Sequence, residues 1–431
     1  MNKSTHARWL AKQLPLWVKD GLINDQQADS IQQRYPYNES LLSGRMMINT
    51  AAAIMVGLGV IALFAFNWQL MPKLMKLAII FSALAGVHVA GFKTADSHPL
   101  LSETLHALGT MFMGAAIFLV SQIYHLSSHY PNAFILWSAG ALAIAWAKPS
   151  VKQAFMALIL IMTWHLTEIF DFNHPNSEAF PVLIFTVLPL VWVLKSPVLA
   201  RLTATSLLVS IGFSASWIHD DMTVLVLLLL SACFIYYHDL IKSLSTDSLQ
   251  HDIGAEMAKP STVLFIVLMF LFSFPDLLDN LKLAKIESPI ALVYLVSFLA
   301  ISQLLFFTNA IKRHTSAISK LMQITILLVL LPSIVDYYFL PDSFRDISHL
   351  VSILFNILIL GASIVLMLDG SRNGNRKRMI NGGILLGVLV FMRFADLFDN
   401  LIVRGIAFVL TGLFLFWVSR RLGNHSAGEK S

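Results

Sequence analysis

The chain has 431 residues, of which 57% are hydrophobic and only 13% are charged. This composition, with a mean hydropathy of +0.71, excludes a soluble globular protein and predicts a polytopic membrane protein. The net charge of +5 does not indicate nucleic-acid binding, because the basic residues collect between the apolar stretches on one side of the membrane. The single cysteine, Cys233, excludes an intramolecular disulfide.

Residues 1–45 are mostly polar and are predicted to form a short cytoplasmic helical hairpin. An apolar stripe with helical spacing runs through residues 5–20, and Gly21 follows it, as is typical of a helix C-terminus. Asn24 followed by Gln27 is the pattern of a capping box that begins a second helix. The apolar face of this hairpin can dock on the membrane or bind a protein partner.

Apolar stretches long enough to cross ~30 Å of hydrocarbon as a helix recur about fourteen times along the chain. They lie at 47–66, 73–92, 104–123, 131–147, 152–170, 179–194, 199–218, 222–241, 260–274, 289–311, 319–335, 346–368, 379–398 and 401–419. The two shortest, 179–194 and 260–274, are expected to be tilted, re-entrant or interfacial. The predicted fold is an all-α integral membrane bundle.

The positions of the 30 basic residues predict how the helices are oriented. With about fourteen crossings, most basic residues fall on the side of the membrane that carries both termini. Lys and Arg are enriched in cytoplasmic segments, so both termini are expected in the cytoplasm. The densest basic cluster, residues 376–378, then lies where it meets anionic lipid headgroups.

Polar residues near helix ends are the first candidate site residues in chain order. Gln122 and His125 end the third apolar segment, and His129 follows His125 at the spacing of two metal ligands. No Glu follows His125, so interfacial histidines are favoured over a metal site. His165 and Glu168 share a helical face, where they form either a proton relay or a satisfied polar pair.

A repeated acidic pattern marks the second half of the chain. Residues 274–280 read Phe-Pro-Asp-Leu-Leu-Asp-Asn, and the pattern Phe-x-Asp-Leu-x-Asp-Asn recurs at residues 394–400. The carboxylates are Asp276, Asp279, Asp396 and Asp399. Carboxylates near a helix C-terminus oppose the macrodipole, which indicates either a functional site or a compensating partner. The recurrence favours a parallel repeat, although low-complexity apolar sequence also produces such patterns.

Arg393 interrupts an apolar run near the C-terminus. A guanidinium within hydrocarbon costs at least ~2.5–3.5 kcal/mol on insertion scales, and Asp396, three residues on, is its expected partner. Asp399 and Arg404 bracket the turn to the last apolar segment. These four side chains are therefore predicted to form an ionic cluster. In the alternative interpretation, Arg393 extends to the lipid headgroups instead.

Short motifs in the first part of the chain resemble the bacterial predicted membrane proteins of domain of unknown function 2157. The motifs are Gly-Leu-Ile and Gln-Gln-Ala-Asp-Ser-Ile within residues 21–31, Asn67-Trp68, Gln122-Ile123-Tyr124-His125-Leu126 and Leu136-Trp137. The stretch from Arg393 to Phe398, with Phe408 and Gly412-Leu413, is similar to the end of longer members. The resemblance implies a bacterial inner-membrane protein of unassigned function, with no catalytic residues to carry over.

The sequence divides into five predicted regions. They are the hairpin 1–45, a membrane domain 46–150 that carries the resemblance, middle helices 151–259, C-terminal helices 260–419 and a cytoplasmic tail 420–431. In the C-terminal region, Gly383 and Gly387 form Gly-x-x-x-Gly, which predicts a close helix-packing face.

Three functions are compatible with these features. Numerous crossings, polar residues near helix ends and prolines within apolar segments favour transport of a small solute or a lipid. A membrane scaffold or sensor that signals through the hairpin is the alternative. An intramembrane enzyme is the least favoured, because the sequence has no Gly-x-Ser-x-Gly motif, no Walker loop and no dinucleotide fingerprint. The bilayer is the one certain partner, and the oligomeric state is not indicated.

Overall fold

The computed structural model describes residues 10, 13–18, 20–34, 55, 71–126, 129–174, 177–218, 220–280, 289–338, 344–397 and 409. Within these residues every regular element is a helix, and no strand occurs. Eight of the described helices are long and apolar enough to cross a membrane, and three shorter ones are also apolar. The chain is an all-α polytopic membrane bundle, which confirms the predicted fold class.

The helices are numbered here in chain order. They are α1 (Asp25–Arg34), α2 (Lys73–Lys93), α3 (Pro99–Tyr124), α4 (Asn132–Ala147), α5 (Val151–Phe170), α6 (Ala179–Val193), α7 (Pro197–Ile218), α8 (Asp220–Leu244), α9 (Ser248–Phe272), α10 (Pro275–Asn280), α11 (Pro289–Ile311), α12 (Ala317–Tyr338), α13 (Phe344–Arg372) and α14 (Arg376–Leu397). The predicted spans 47–66 and 401–419, apart from residues 55 and 409, and the tail 420–431 lie outside the described residues. Each of the other predicted spans overlaps a described helix.

The chain divides into two compact units, residues 1–82 and residues 83–431. In the first unit, residues 13–18 are helical, and Gly21 ends this segment with φ +71°. The Leu22 N–H donates to the Trp17 carbonyl at 2.9 Å, and the Gly21 N–H donates to the Val18 carbonyl at 3.1 Å. This left-handed helix end has little steric cost for glycine. The predicted helix stop at Gly21 is confirmed.

The start of α1 is fixed by two reciprocal hydrogen bonds. The Asn24 N–H donates to Gln27 Oε1 at 3.0 Å, and the Gln27 N–H donates to Asn24 Oδ1 at 2.8 Å. Both backbone donors would otherwise have no helical partner. The predicted capping box is therefore confirmed, and the local sequence alone specifies how this part of the hairpin folds.

Helix α8 lies at the centre of the second unit, where it packs against α7, α9, α11 and α12. Its side chains Leu228, Leu229 and Tyr236 are fully buried. Outer helices such as α11 instead expose large apolar side chains, including Val293 and Leu304. In a membrane bundle such faces lie against hydrocarbon rather than water. The core thus surrounds α8, and the lipid-facing surface surrounds the core.

Helix α9 is longer than its apolar stretch predicts. The predicted span 260–274 overlaps only the second half of α9, because α9 begins at Ser248 and Pro260 lies inside it. Asp247 caps its start by accepting a hydrogen bond from the Leu249 N–H at 2.9 Å. The first half of α9 is polar, so a hydropathy argument detects only the second half. The proposed regional boundary between 259 and 260 falls inside this helix.

Helix α6 contains a wide π-helical turn at Leu183–Val187. Pro189 follows within the next turn. A proline ring clashes with the carbonyl four residues earlier and cannot donate to it, and a wider turn accommodates that defect.

The predicted packing face at Gly383 and Gly387 stays a prediction. A Cβ at either position would meet no described neighbour within 4 Å, and the predicted last span, 401–419, lies outside the described residues apart from residue 409. A close approach to α13 is described at Gly382, where a Cβ would lie 2.7 Å from the Ser363 carbonyl oxygen. A glycine next to the predicted pair therefore allows α13 and α14 to pack closely.

Candidate functional site

A pocket of about 390 Å³ lies at the end of α5, next to the start of α4. It is lined by His129, Asn132, Trp164, Glu168, Phe172, His174 and Glu178. Two loops supply the residues outside the helices: the one between α3 and α4, and the one between α5 and α6. Carboxylates, imidazoles and aromatic rings therefore converge on one cavity.

Left-handed residues turn both loops toward the pocket. His125 ends α3 with φ 53°, and the next N–H, of Leu126, donates to the Ser121 carbonyl at 3.0 Å. After α5, Asn173 has φ 54°, and the His174 N–H donates to the Glu168 carbonyl at 2.9 Å. These turns satisfy carbonyls that the helix ends leave without a partner.

The carboxylate of Glu168 is the centre of the pocket. Only 5% of this residue is exposed. His129 Nε2 lies 2.8 Å and 2.7 Å from its two oxygens, and Trp164 Nε1 donates to Oε1 at 3.2 Å. His174 Nδ1 is 3.9 Å from Oε2. A carboxylate removed from water is tolerated when it is hydrogen-bonded and paired, and these neighbours supply both conditions.

A second acid at the end of α5 is also paired. The Tyr130 hydroxyl donates to Asp171 Oδ2 at 2.5 Å. This hydrogen bond raises the pKa of Tyr130 above its usual value, so the phenol stays a neutral donor. Phe172 packs against the rings of both His129 and Tyr130. The acids that oppose the helix dipole thus have compensating partners from the loop before α4.

Of the residues that the sequence proposed for this region, only one lines the pocket. Glu168 lies in the pocket, whereas His165, Gln122 and His125 are not among its lining residues. His165 is fully buried in α5, and the other two are exposed at the end of α3. His129, treated as interfacial from the sequence, makes the short contacts with the Glu168 carboxylate. No local spacing could have indicated this contact, because the two residues come from different elements.

Arg393 in α14 has partners from the end of α9. Its Nη2 donates to Ser273 Oγ at 2.9 Å, and its guanidinium lies 4.2 Å from the centre of the Phe274 ring. Ser273 is buried and follows the last residue of α9. A cation beside a helix C-terminus is favourable, because the last carbonyls carry partial negative charge. Arg393 therefore joins α14 to the end of α9.

The structure describes only some residues of the repeated acidic pattern and of the predicted ionic cluster. Asp276 is exposed in the short helix α10. Asp279 and Asp396 lie within α10 and α14, but their side chains are outside the described part of the chain. Asp399 and Arg404 lie outside the described residues altogether. The ionic cluster of Arg393, Asp396, Asp399 and Arg404 stays a prediction.

The two copies of the acidic pattern differ locally. In the first copy the chain leaves the helix at Ser273, and α10 begins at Pro275. In the second copy, residues 394–397 continue α14 without a break. Proline favours the start of a new helix in the first copy, and the second has alanine at that position. The parallel repeat stays a prediction, with unlike backbones in the part that is described.

A pair of histidines joins α2 to α3 at the opposite end of α3. The Nδ1 atoms of His88 and His106 are 3.1 Å apart. A Cβ at Gly91 would lie 3.0 Å from the His106 ring, and one at Gly109 would lie 2.5 Å from the His88 ring. Each imidazole thus packs on a glycine of the other helix. The contact between the two histidines is therefore part of the close packing of α2 against α3.

The Glu168 pocket has the chemistry of a small-cation or proton site. Glu168 and Glu178 supply negative charge, and Trp164 and Phe172 supply aromatic surface. Such surfaces attract cations when water is excluded. Among the described side chains, no group of three or more His, Cys, Asp or Glu residues is arranged to hold a metal ion.

Comparison with known proteins gives one match. Residues 15–152 match the model of a family described as "Predicted membrane protein (DUF2157)". No curated protein and no solved structure matches the chain. The matched stretch includes His129 and Asn132 of the pocket, whereas the other lining residues lie beyond it. The resemblance read from the sequence is confirmed for this part of the chain.

Proposed function

We propose that this chain, whose residues 15–152 match the model of a family described as "Predicted membrane protein (DUF2157)", is a multi-pass transporter of a small cationic solute. In this proposal the Glu168 pocket is the solute-binding site, at one end of the transport path. The observation that carries this proposal is a carboxylate with only 5% exposure at the edge of a solute-sized cavity. A buried ionisable group within a membrane-spanning helix is costly and commonly serves a function.

The lining of the pocket supports a cation as the solute. Its volume of about 390 Å³ lies within the usual range for small-molecule sites. Glu178 adds a second carboxylate, and Trp164 and Phe172 present ring surface to a bound cation. His129 contacts the same carboxylate, so a bound cation would take the place of this contact.

The pocket is placed on the outer side of the inner membrane, with both termini in the cytoplasm. This orientation rests on the bias of the basic residues toward the terminal side. The fifth predicted span then leaves the cytoplasm at Val151 and reaches the outer surface near Asp171. Solute would enter the pocket from outside, and the bilayer is the immediate partner of the bundle.

Calorimetric titration of the purified full chain in detergent tests the binding site, with methylammonium and tetramethylammonium chloride as probes. The wild-type chain is expected to bind at least one of the two, and Glu168→Gln to weaken that binding by roughly tenfold or more, since it removes the buried charge. The matched control is Glu103→Gln. Glu103 pairs with Lys152 at 2.6 Å, at the opposite end of α5. Equal affinities for wild type and Glu168→Gln would contradict the proposal.

The alternative function is a membrane sensor or scaffold. The N-terminal segment carries a well-formed helix stop at Gly21 and a capping box at Asn24, so it can act as a folded module for a protein partner. A sensor would bind solute at the Glu168 pocket without moving it across the membrane. Binding and flux measurements on the same variants separate the two functions.

A further inference from the structure

A second cavity lies on the side of the bundle, between α7 and α9. It is a groove of about 670 Å³, and its walls include Thr205 and Gly212 of α7 and Pro260, Val263 and Val267 of α9. Both valines are exposed. The lining is almost wholly apolar, and the groove lies within segments long and apolar enough to span the bilayer. Hydrocarbon, rather than water, is the medium such a groove meets.

One end of the groove is charged. Arg201 lies one turn before Thr205 on α7, and Glu256 and Lys259 lie one turn before Pro260 and Val263 on α9. Arg201 Nε donates to Glu256 Oε2 at 2.5 Å, and Lys259 pairs with the other Glu256 oxygen. These ion pairs connect the two walls of the groove where its apolar lining ends.

The charged end of the groove carries a net positive charge. Two cations share one carboxylate, so the three side chains sum to one positive charge. The side chains of Arg201 and Lys259 remain 50% and 55% exposed, whereas that of Glu256 is only 16% exposed. Guanidinium and ammonium groups have more donors than one carboxylate can accept. Donors on both side chains therefore remain for a further anionic group, in the first turns of α7.

We propose that this groove holds an anionic glycerophospholipid. One acyl chain lies between α7 and α9, and the phosphate is bound by Arg201 and Lys259. The apolar walls fit a hydrocarbon chain, and the net positive charge at one end fits a headgroup. In the proposed orientation this lipid belongs to the cytoplasmic leaflet. The site shares no residue with the Glu168 pocket.

Native mass spectrometry of the full chain tests the proposal. The protein is delipidated in detergent and supplied with palmitoyl-oleoyl phosphatidylglycerol or with phosphatidylcholine carrying the same chains. The wild type is expected to retain one phosphatidylglycerol in preference to phosphatidylcholine. Arg201→Gln with Lys259→Gln should lower that retention by roughly tenfold, because both headgroup cations are lost. Glu256→Gln should raise it, because the same two cations become available to the phosphate.

Filling the groove gives an independent test. A Cβ at Gly212 would meet only Leu227 side-chain atoms at 3.6 Å, so Gly212→Leu can project into the groove. It should abolish retention of both lipids. If Gly212→Leu fails to fold, Val263→Trp fills the groove from an exposed position. Lys152→Gln, which removes a paired cation elsewhere, should change nothing. Unchanged retention in the filled variants, or a loss in Glu256→Gln equal to that of the double variant, would overturn the proposal.

Discussion

Asp239→Ala is expected to lower the free energy of unfolding of the bundle by ~2–4 kcal/mol. Asp239 is 3% exposed in α8. Its Oδ2 accepts hydrogen bonds from the Ser316 N–H at 2.8 Å and the Ser319 hydroxyl at 2.6 Å. The carboxylate therefore caps the first turn of α12 from another helix. The substitution leaves two donors without this acceptor, and Ser319 is fully buried.

Equilibrium unfolding in mixed detergent micelles measures this effect. Asp239→Asn keeps one acceptor oxygen, so it should recover about half of the loss. Asp247→Ala is the matched control, because Asp247 caps α9 from an exposed position and its removal should cost only ~1 kcal/mol. A loss for Asp239→Ala no larger than for Asp247→Ala would show that the contact between α8 and α12 is unimportant.

Arg393→Ala is expected to lower the free energy of unfolding by ~2–3 kcal/mol. The substitution removes the charged donor to buried Ser273 Oγ and the cation over Phe274. Arg393→Lys should recover only part of the loss, because an ammonium keeps the charge without the planar guanidinium. Arg378→Ala is the control: its side chain is 55% exposed and pairs with Asp369, so ~1 kcal/mol or less is expected.

A double-mutant cycle identifies the partner of Arg393. Coupling between Arg393→Ala and Ser273→Ala is expected, because the two side chains share a hydrogen bond. Coupling with Asp396→Ala would support the predicted ionic cluster as well. If both cycles are additive and Arg393→Ala is as mild as Arg378→Ala, Arg393 extends to the headgroups and does not join the helices.

The sequence predicts the apolar helices well, because hydrocarbon selects them by length and composition. The span expected at 73–92 is observed as Lys73–Lys93, and that expected at 289–311 as Pro289–Ile311. The capping box at Asn24 was predictable for a different reason: both of its hydrogen bonds join residues three apart in sequence. Hydropathy could not place Ser248 as the start of α9, because the polar half of that helix lies outside the apolar window.

The contacts that define the sites were less predictable. Helical spacing paired Glu168 with His165 and Arg393 with Asp396, because spacing detects only neighbours on one helix. Trp164, one turn before Glu168 on the same helix, does donate to it. The other partners described for these side chains come from other elements: His129 for Glu168, and Ser273 with Phe274 for Arg393. Three-dimensional packing decides such pairs. The sequence did indicate that Glu168 and Asp171 have partners. Both acids lie at a helix C-terminus, where a negative charge is unfavourable unless another group compensates it.

Solute flux tests the central claim most directly. Full-length protein is reconstituted into liposomes of defined lipid, and uptake of the cation bound in the calorimetric experiment is followed. Transport predicts saturable uptake by the wild type. Uptake should be lost in Glu168→Gln and kept in Glu103→Gln. Binding by the wild type without uptake above the Glu168→Gln background would contradict transport and leave the sensor as the function of this bundle.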